Sequence, residues 1–410
     1  MSICYIFSDL RRLGGIEKWT NTFSSFIKNN KIIYEMVEYP PLKKKDIIIV
    51  NNYHNIDILL PFLDFAGNIG CRRIFVIHSN ICPYNKYLCN NIDLFDEIIS
   101  VSPSIYQKFI KIFPSKKHHL IENFIDTDNI IQIKRELHNP IRLSFVGRVS
   151  REKCIPTILF TYKQLIKKNI NVILNIYGKC DETYMKCIQF IVDNLQLPNV
   201  IFHGKITNHD EIYNNTDILL LPSVSEGLPY VILEAVARGI PVVTTKIGAI
   251  SEIVIDNVNG YLIDISIPNI QDPYINDYSL LLRFMGYTNT YGDKIKITDK
   301  NIHRGCRINI PFLNEYIPSV MLMPMANCIA CKYIYDSQPL FADLINKITD
   351  CIEKCINNYD TVANNYYKCN KIQNQYKISK MIDPKFMTYL ADDILDKLIG
   401  EFVSDLIENN

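Results

Sequence analysis

From residue 141 to 265 the chain repeats one device: a short apolar run, a break, a helical period, then another apolar run. Residues 141–146 end at Gly147, 171–177 at Gly178 and 199–203 at Gly204. The series continues through 217–221, 241–245 and 261–265, with helical spacings near 155–168, 181–195, 230–238 and 249–255. A run that is apolar at every position, not at alternate ones, has to be covered on both faces, which is the condition of a strand in a parallel sheet between helices. Parallel neighbours also need a long crossover, and the intervening helices supply it. The spacing therefore predicts an α/β fold with a doubly wound sheet.

The first 137 residues carry a fainter version of the same alternation, with strands expected at 3–7, 46–51, 73–78, 97–101 and 119–123. His138-Asn139-Pro140 reads as the join, because the residue before a proline is pushed out of helix. This predicts two Rossmann-like domains, 1–137 and 138–265, facing across a cleft lined by the carboxyl ends of their strands, where such folds hold ligands. From 266 to 339 the alternation stops, and this stretch reads as an irregular insertion. Residues 340–410 read as closing helices, since 340–368 and 386–407 return to helical spacing. Leu344, Ile348, Cys351 and Cys355 share one face, and Leu390, Ile394, Leu398 and Phe402 another.

Composition narrows the function. A hydrophobic fraction of 48% supports a packed core, and a net charge of +1 offers no field to attract nucleic acid. No segment approaches the ~20 apolar residues of a membrane span. Residues 1–7 run into Ser8-Asp9-Leu10-Arg11-Arg12 without the features of a signal peptide and read as a first strand. With that start, the 13 cysteines read as reduced thiols and the expected compartment is cytoplasmic. The basic clusters Lys43-Lys44-Lys45 and Lys116-Lys117-His118-His119 read as solvated loops, with weak peripheral membrane contact as the alternative. The wealth of Asn, Ile, Lys and Tyr reflects an AT-rich genome, as in some bacteria, protists and large DNA viruses. Of only 15 glycines, seven fall between Gly147 and Gly260 (147, 178, 204, 227, 239, 248 and 260), close to the strand–helix junctions.

Those junctions carry the chemistry. In Glu226-Gly227-Leu228-Pro229-Tyr230-Val231-Ile232-Leu233-Glu234 two carboxylates lie eight residues apart, one in a loop after a strand and one in the following helix. Pro229 suits the first helical turn, where its missing donor costs nothing. Backbone N–H groups around Gly227 and Leu228 can then cradle a phosphate, while Glu234 can reach the hydroxyls of a ribose and Glu226 those of a hexose. An isolated pair of glutamates at this spacing is more often a solvated helix start. Here Gly147-Arg148-Val149-Ser150-Arg151-Glu152-Lys153 follows a strand at the same carboxyl edge, so Arg148 and Lys153 can converge on a diphosphate.

With those pieces in this order, the chain resembles the group 1 (family 4) glycosyltransferases of GT-B fold, a retaining and metal-independent class. The resemblance runs through Gly14-Gly15-Ile16-Glu17, Ile77-His78-Ser79, Val101-Ser102 and Ile121-Glu122-Asn123-Phe124-Ile125-Asp126. It continues through Gly147-Arg148 with Lys153, Ser225-Glu226-Gly227-Leu228-Pro229, and Glu234-Ala235. Its last pieces are Gly239-Ile240-Pro241-Val242-Val243, Gly248 with Glu252, and Asn259-Gly260. It implies a hexosyltransferase that takes a UDP- or GDP-sugar and an acceptor hydroxyl on a carbohydrate, lipid-linked or protein-linked glycan, with no cofactor beyond the nucleotide sugar. It implies donor contacts from Gly14, Gly15, Gly147, Arg148, Lys153, Glu226, Gly227, Leu228, Pro229 and Glu234, and catalytic roles for Arg148, Lys153, Glu226 and His78. A GT-B epimerase or hydrolase, or an inactive nucleotide-sugar-binding partner protein, is the alternative.

The sequence departs from that pattern in places. Cys154 stands where glycine is common after the lysine, the first domain is short, and 266–339 has no counterpart. Within that insertion His303 and Cys306, with Cys328 and Cys331, offer the ligand set of a structural zinc site, although a cysteine-rich chain also produces such pairs by chance.

Overall fold

The computed structural model describes residues 2–264 except 9–14, 28, 34, 37, 52–55, 79–90, 126, 128–129, 131–133, 151–152 and 224–225. Beyond 264 it describes 307–310, 315–318, 331–366, 377–378 and 381. The chain divides into two compact units, one built on Met1–Asp126 with the described residues after Cys369, the other on Thr127–Lys368.

The first unit holds β1 (Cys4–Phe7), α1 (Gly15–Ser25), β2 (Asn30–Ile33), β3 (Ile47–Val50), α2 (Ile56–Ile69), β4 (Arg72–Ile77), β5 (Glu97–Ser100), α3 (Pro103–Ile112) and β6 (Lys117–Leu120). Its six strands run parallel in the order β2-β1-β3-β4-β5-β6. Every residue of β1, β3 and β5 is buried, as expected of central strands, including the polar Glu97 and Ser100 at the two ends of β5. The sequence pattern missed β2. Its burial is only partial because it lies at the sheet edge, so only Ile32 and Ile33 of its four residues are apolar. Ser102 caps α3 by accepting from Ile105 N at 3.3 Å, and Pro103 opens the helix.

The second unit holds β7 (Ile141–Val146), α4 (Ile155–Lys167), β8 (Val172–Tyr177), α5 (Glu182–Asn194), β9 (Val200–Gly204), α6 (His209–Asn214), β10 (Ile218–Leu221), α7 (Tyr230–Val236), β11 (Val242–Thr245) and β12 (Gly260–Ile263). The order is β12-β11-β10-β7-β8-β9, again parallel throughout. The chain leaves β7 toward β8 on one side and later returns to place β10 on the other. The crevice above β7 and β10 is therefore the topological switch point, where open α/β sheets bind ligands. The expected α/β class and the Rossmann-like character of both units are present.

Residues just ahead of β7 are tied to this second unit. Asp217, at the foot of β10, accepts from His138 Nδ1 at 2.6 Å and from Arg142 N at 2.8 Å. Arg135 is buried and donates to Tyr213 O and Arg238 O, each at 3.0 Å. Within the stretch read as irregular, the described residues include an antiparallel pair, β13 (Arg307–Ile310) and β14 (Glu315–Pro318). The long α8 (Cys331–Asn357) begins before residue 340 and is followed by α9 (Tyr359–Val362). Leu344, Ile348 and Cys355 are buried, as their shared face predicts, while Cys351 is partly exposed. Thr349 Oγ1 donates to Gln164 of α4 at 2.8 Å, and Lys168 meets Glu353 at 2.5 Å. The helix expected at 386–407 lies outside the described residues.

Candidate functional site

The site is assembled from strand ends. β7 runs into Gly147, whose N–H bonds Tyr177 O at 2.9 Å, and Val149 N bonds Lys179 O at 2.9 Å. A Cβ on Gly178 would lie 1.7 Å from Gly147 O, so β7 and β8 reach this proximity only with glycine there. Arg148 sits exposed on that edge. Lys153 N bonds Ser150 O at 3.0 Å, just ahead of α4. Cys154 takes φ +57°, a left-handed conformation, with its side chain buried. The backbone at 154 thus keeps the geometry that suits the glycine whose place this cysteine takes.

On the neighbouring strand, β10 leads through Pro222 and Ser223 to Glu226. Lys153 Nζ donates to Glu226 Oε1 at 2.5 Å, with side-chain exposures of 18% and 8%, so this pair is largely withdrawn from water. Two residues 73 apart in sequence, predicted to work together, are in direct contact. The Glu226 loop is braced from beneath. Ala249 N bonds Gly227 O at 2.9 Å, Gly248 has φ +54°, and a Cβ there would sit 2.3 Å from Glu226 O. Thr245 Oγ1 donates to Ser223 O, holding the strand end that launches the loop. Leu228 is buried. Pro229 is the N-cap of α7, one residue earlier than the first-turn position expected from sequence, because its ψ of 126° is extended.

Glu234 lies on α7 and is 4% exposed. Its Oε2 accepts from Tyr213 Oη at 2.7 Å and pairs with His209 Nδ1 at 3.2 Å. Tyr213 is fully enclosed, with the Arg238 guanidinium 4.9 Å from its ring centroid. Arg238 also donates to Glu234 O at 3.2 Å and reaches Asp210 at 3.0 Å. Burial, reinforced by the Glu234 carboxylate, pushes the Tyr213 phenol well above 10, so it stays protonated and donates. Sequence reasoning missed Tyr213, His209, Arg135 and Arg238. Nothing in the sequence tied Tyr213 to Glu234.

The remaining described site residues belong to the first unit. Gly15 opens α1 and is exposed, while Gly14 lies outside the described residues. His78 follows β4, and its Nε2 hydrogen-bonds Asn51 Oδ1. Asn51 Nδ2 donates to Thr20 Oγ1 at 2.6 Å, which orients the amide so that Nε2 is the protonated nitrogen of His78. Trp19 stands edge-on to the imidazole at 5.5 Å, and burial lowers the His78 pKa to about 3. His303, Cys306 and Cys328 lie outside the described residues, and of Cys331 only its place at the start of α8 is described. Among the described residues no group of three or more His, Cys, Asp or Glu is placed to hold a metal, and no described helix is long and apolar enough to cross a membrane.

Residues 126–272 match the family model for group 1 glycosyl transferases. The capsular polysaccharide biosynthesis glycosyltransferase CapM of Staphylococcus aureus is 24% identical over 194 residues, covering 43% of this chain and 51% of CapM. CapH of the same organism, described in the same words, is 28% identical over 210 residues, covering 47% of this chain and 58% of CapH. The chain thus spans little more than half the length of these curated relatives. Among solved structures, Anabaena HepE in complex with UDP and glucose aligns with a TM-score of 0.58 at 15% identity, over 96% of this chain and 100% of HepE. A TarM variant of S. aureus in complex with fondaparinux, α-GlcNAc-glycerol and UDP aligns with a TM-score of 0.50 at 16% identity, over 82% and 55%. At such identities the likeness is one of fold, namely GT-B.

Proposed function

Because residues 126–272 match the family model for group 1 glycosyl transferases, we propose that the protein transfers a hexose from a UDP- or GDP-sugar to an acceptor hydroxyl, retaining the anomeric configuration and requiring no metal. The observation that carries this is the 2.5 Å contact of Lys153 with Glu226 at the switch point between β7 and β10. A lysine ammonium has three N–H donors, and one is given to Glu226. The other two address the oxygens of a diphosphate, with Arg148 on the same strand end as second cation. The Glu226 carboxylate, steered by Lys153, accepts from hydroxyls of the transferred hexose, and Glu234 accepts from those of the ribose. Gly147, Gly227, Leu228 and Pro229 line the donor site within the second unit.

In this scheme the two cations stabilise the negative charge that grows on the nucleotide as the glycosidic bond breaks. The departing phosphate takes the acceptor proton on the face it leaves, so the new bond forms with retention. UDP is the first donor base to try, since HepE and TarM are both seen with UDP. The names of the capsular relatives favour a glycan acceptor.

The test is a thermal-shift screen of UDP-, GDP- and ADP-sugars with EDTA present. A ligand at 100 times its Kd adds about 2.7 kcal/mol of stability. One nucleotide sugar should raise the melting temperature, and Arg148→Ala should abolish the shift. Absence of a shift with every donor would overturn the donor-site assignment. Formation of an inverted product would remove retention.

A further inference from the structure

We infer that Tyr213 is a positioning residue that orients Glu234 and so makes the donor site select a ribose bearing its hydroxyls, an inference that rests on Glu234 being the ribose contact. A glutamate side chain turns about three bonds, and an unanchored carboxylate samples orientations that a pair of vicinal hydroxyls does not fit. Here one oxygen, Oε2, is fixed by the Tyr213 hydroxyl at 2.7 Å and by His209 at 3.2 Å. The tyrosine is itself immobile. It is buried on α6, which Asn208 caps by accepting from Asp210 N and Glu211 N at 3.1 and 3.3 Å. The Arg238 guanidinium lies over its ring at 4.9 Å, and Arg135 holds its carbonyl at 3.0 Å.

Arg238 closes the arrangement by bonding the Glu234 carbonyl at 3.2 Å, so both ends of the residue that meets the ribose are tied to one cluster. A carboxylate fixed through one oxygen has a defined plane, and a defined plane is what distinguishes two adjacent hydroxyls from none. A hydrogen bond that only braced the core would not bear on that distinction.

The experiment compares the affinities of UDP and 2′,3′-dideoxy-UDP for the full-length protein by calorimetry, with melting curves recorded alongside. Wild type should favour UDP by about tenfold or more, the scale of a hydrogen bond to a charged group. Tyr213→Phe keeps the ring under Arg238 and removes only the hydroxyl. It should bind dideoxy-UDP as wild type does and lose most of its preference for UDP. Equal weakening of both ligands, or an undiminished preference, would overturn the positioning role. Should wild type show no preference, or should Glu234→Gln leave the preference intact, the ribose reading of Glu234 is itself overturned. The two failures are thereby distinguishable.

Discussion

At the scale of single residues, the pair Lys153–Glu226 joins stability to function. Both side chains are mostly enclosed, so removing the lysine leaves a carboxylate with neither water nor a cation to solvate it. Lys153→Met should therefore cost roughly 3 kcal/mol in denaturant unfolding of the second unit. Adding Glu226→Gln removes the stranded charge and should recover most of that loss. Neither variant should transfer sugar, because both lack one of the two cations that meet the diphosphate. Transfer by the double variant would show that the pair is structural only. This pair was legible in the sequence as two residue types at two strand ends, whereas its contact required the strand order. Cys154 was legible in the opposite sense. The sequence marked it as a departure from glycine, and the backbone holds the left-handed φ of +57° all the same. Tyr213 lay beyond reach, since a buried tyrosine on a six-residue helix looks like any core residue until its hydroxyl is seen to find Glu234.

At the scale of elements, the strands of the second unit could be read to within a residue or two because each is an apolar-rich run set between helical periods or glycines. The edge strand β2, which opens on Asn30-Lys31 and has no buried residue, was not read. The scarce glycines were also informative, for a reason visible only in the packing. Gly248 lies under the Glu226 loop, and a methyl group there would meet Glu226 O at 2.3 Å and Gly227 O at 2.9 Å. Backbone atoms cannot swing aside as a side chain can, so Gly248→Ala must displace the loop. Gly204 at the end of β9 is the matched control. Its φ of +66° resembles the +54° of Gly248, yet a Cβ there meets nothing within 4 Å. Each substitution carries the left-handed penalty of about 1 kcal/mol. Gly204→Ala should cost about that much and leave donor affinity unchanged. Gly248→Ala should cost more and weaken donor binding by at least about tenfold, since small displacements of positioning groups are expensive. Equal effects of the two variants on donor binding, measured by calorimetry, would contradict this account of the loop.

At the scale of the whole molecule, the two units differ in how they meet acid. Among the described residues of the first, two groups have a pKa displaced downward. His78 falls from its ordinary 6.5 to about 3 because burial disfavours the imidazolium. For Glu97 burial acts upward, but hydrogen bonds from His119 at 2.5 Å and Arg72 at 2.7 Å, with the Arg72 charge, outweigh it and hold the carboxyl well below its usual 4.5. Arg72 also donates to Met381 O at 3.0 Å, so this network ties the returning chain to the first sheet. In both cases the unfolded chain takes up a proton at a higher pH than the folded one. The His78 contribution is therefore complete above pH 6.5 and drains as the pH falls toward 3, while that of Glu97 begins to drain below about 4.5. In the second unit His203 is lowered too, but it is exposed and its slope should be shallower. The single tryptophan, Trp19, is buried in the first unit beside His78 and reports on that unit alone. Its fluorescence midpoint in urea should fall between pH 6.5 and 5 with a slope approaching 1.4 kcal/mol per pH unit, one proton's worth. His78→Gln keeps a donor for Asn51 but does not titrate, and should flatten that slope. Glu97→Gln should leave it unchanged, lowering the midpoint at pH 7 and flattening only the decline below 4.5. A Trp19 midpoint that does not move between pH 6.5 and 5 would mean that His78 accepts its proton in the folded chain as readily as in the unfolded one, and that the enclosure by Trp19 and Asn51 opens to water.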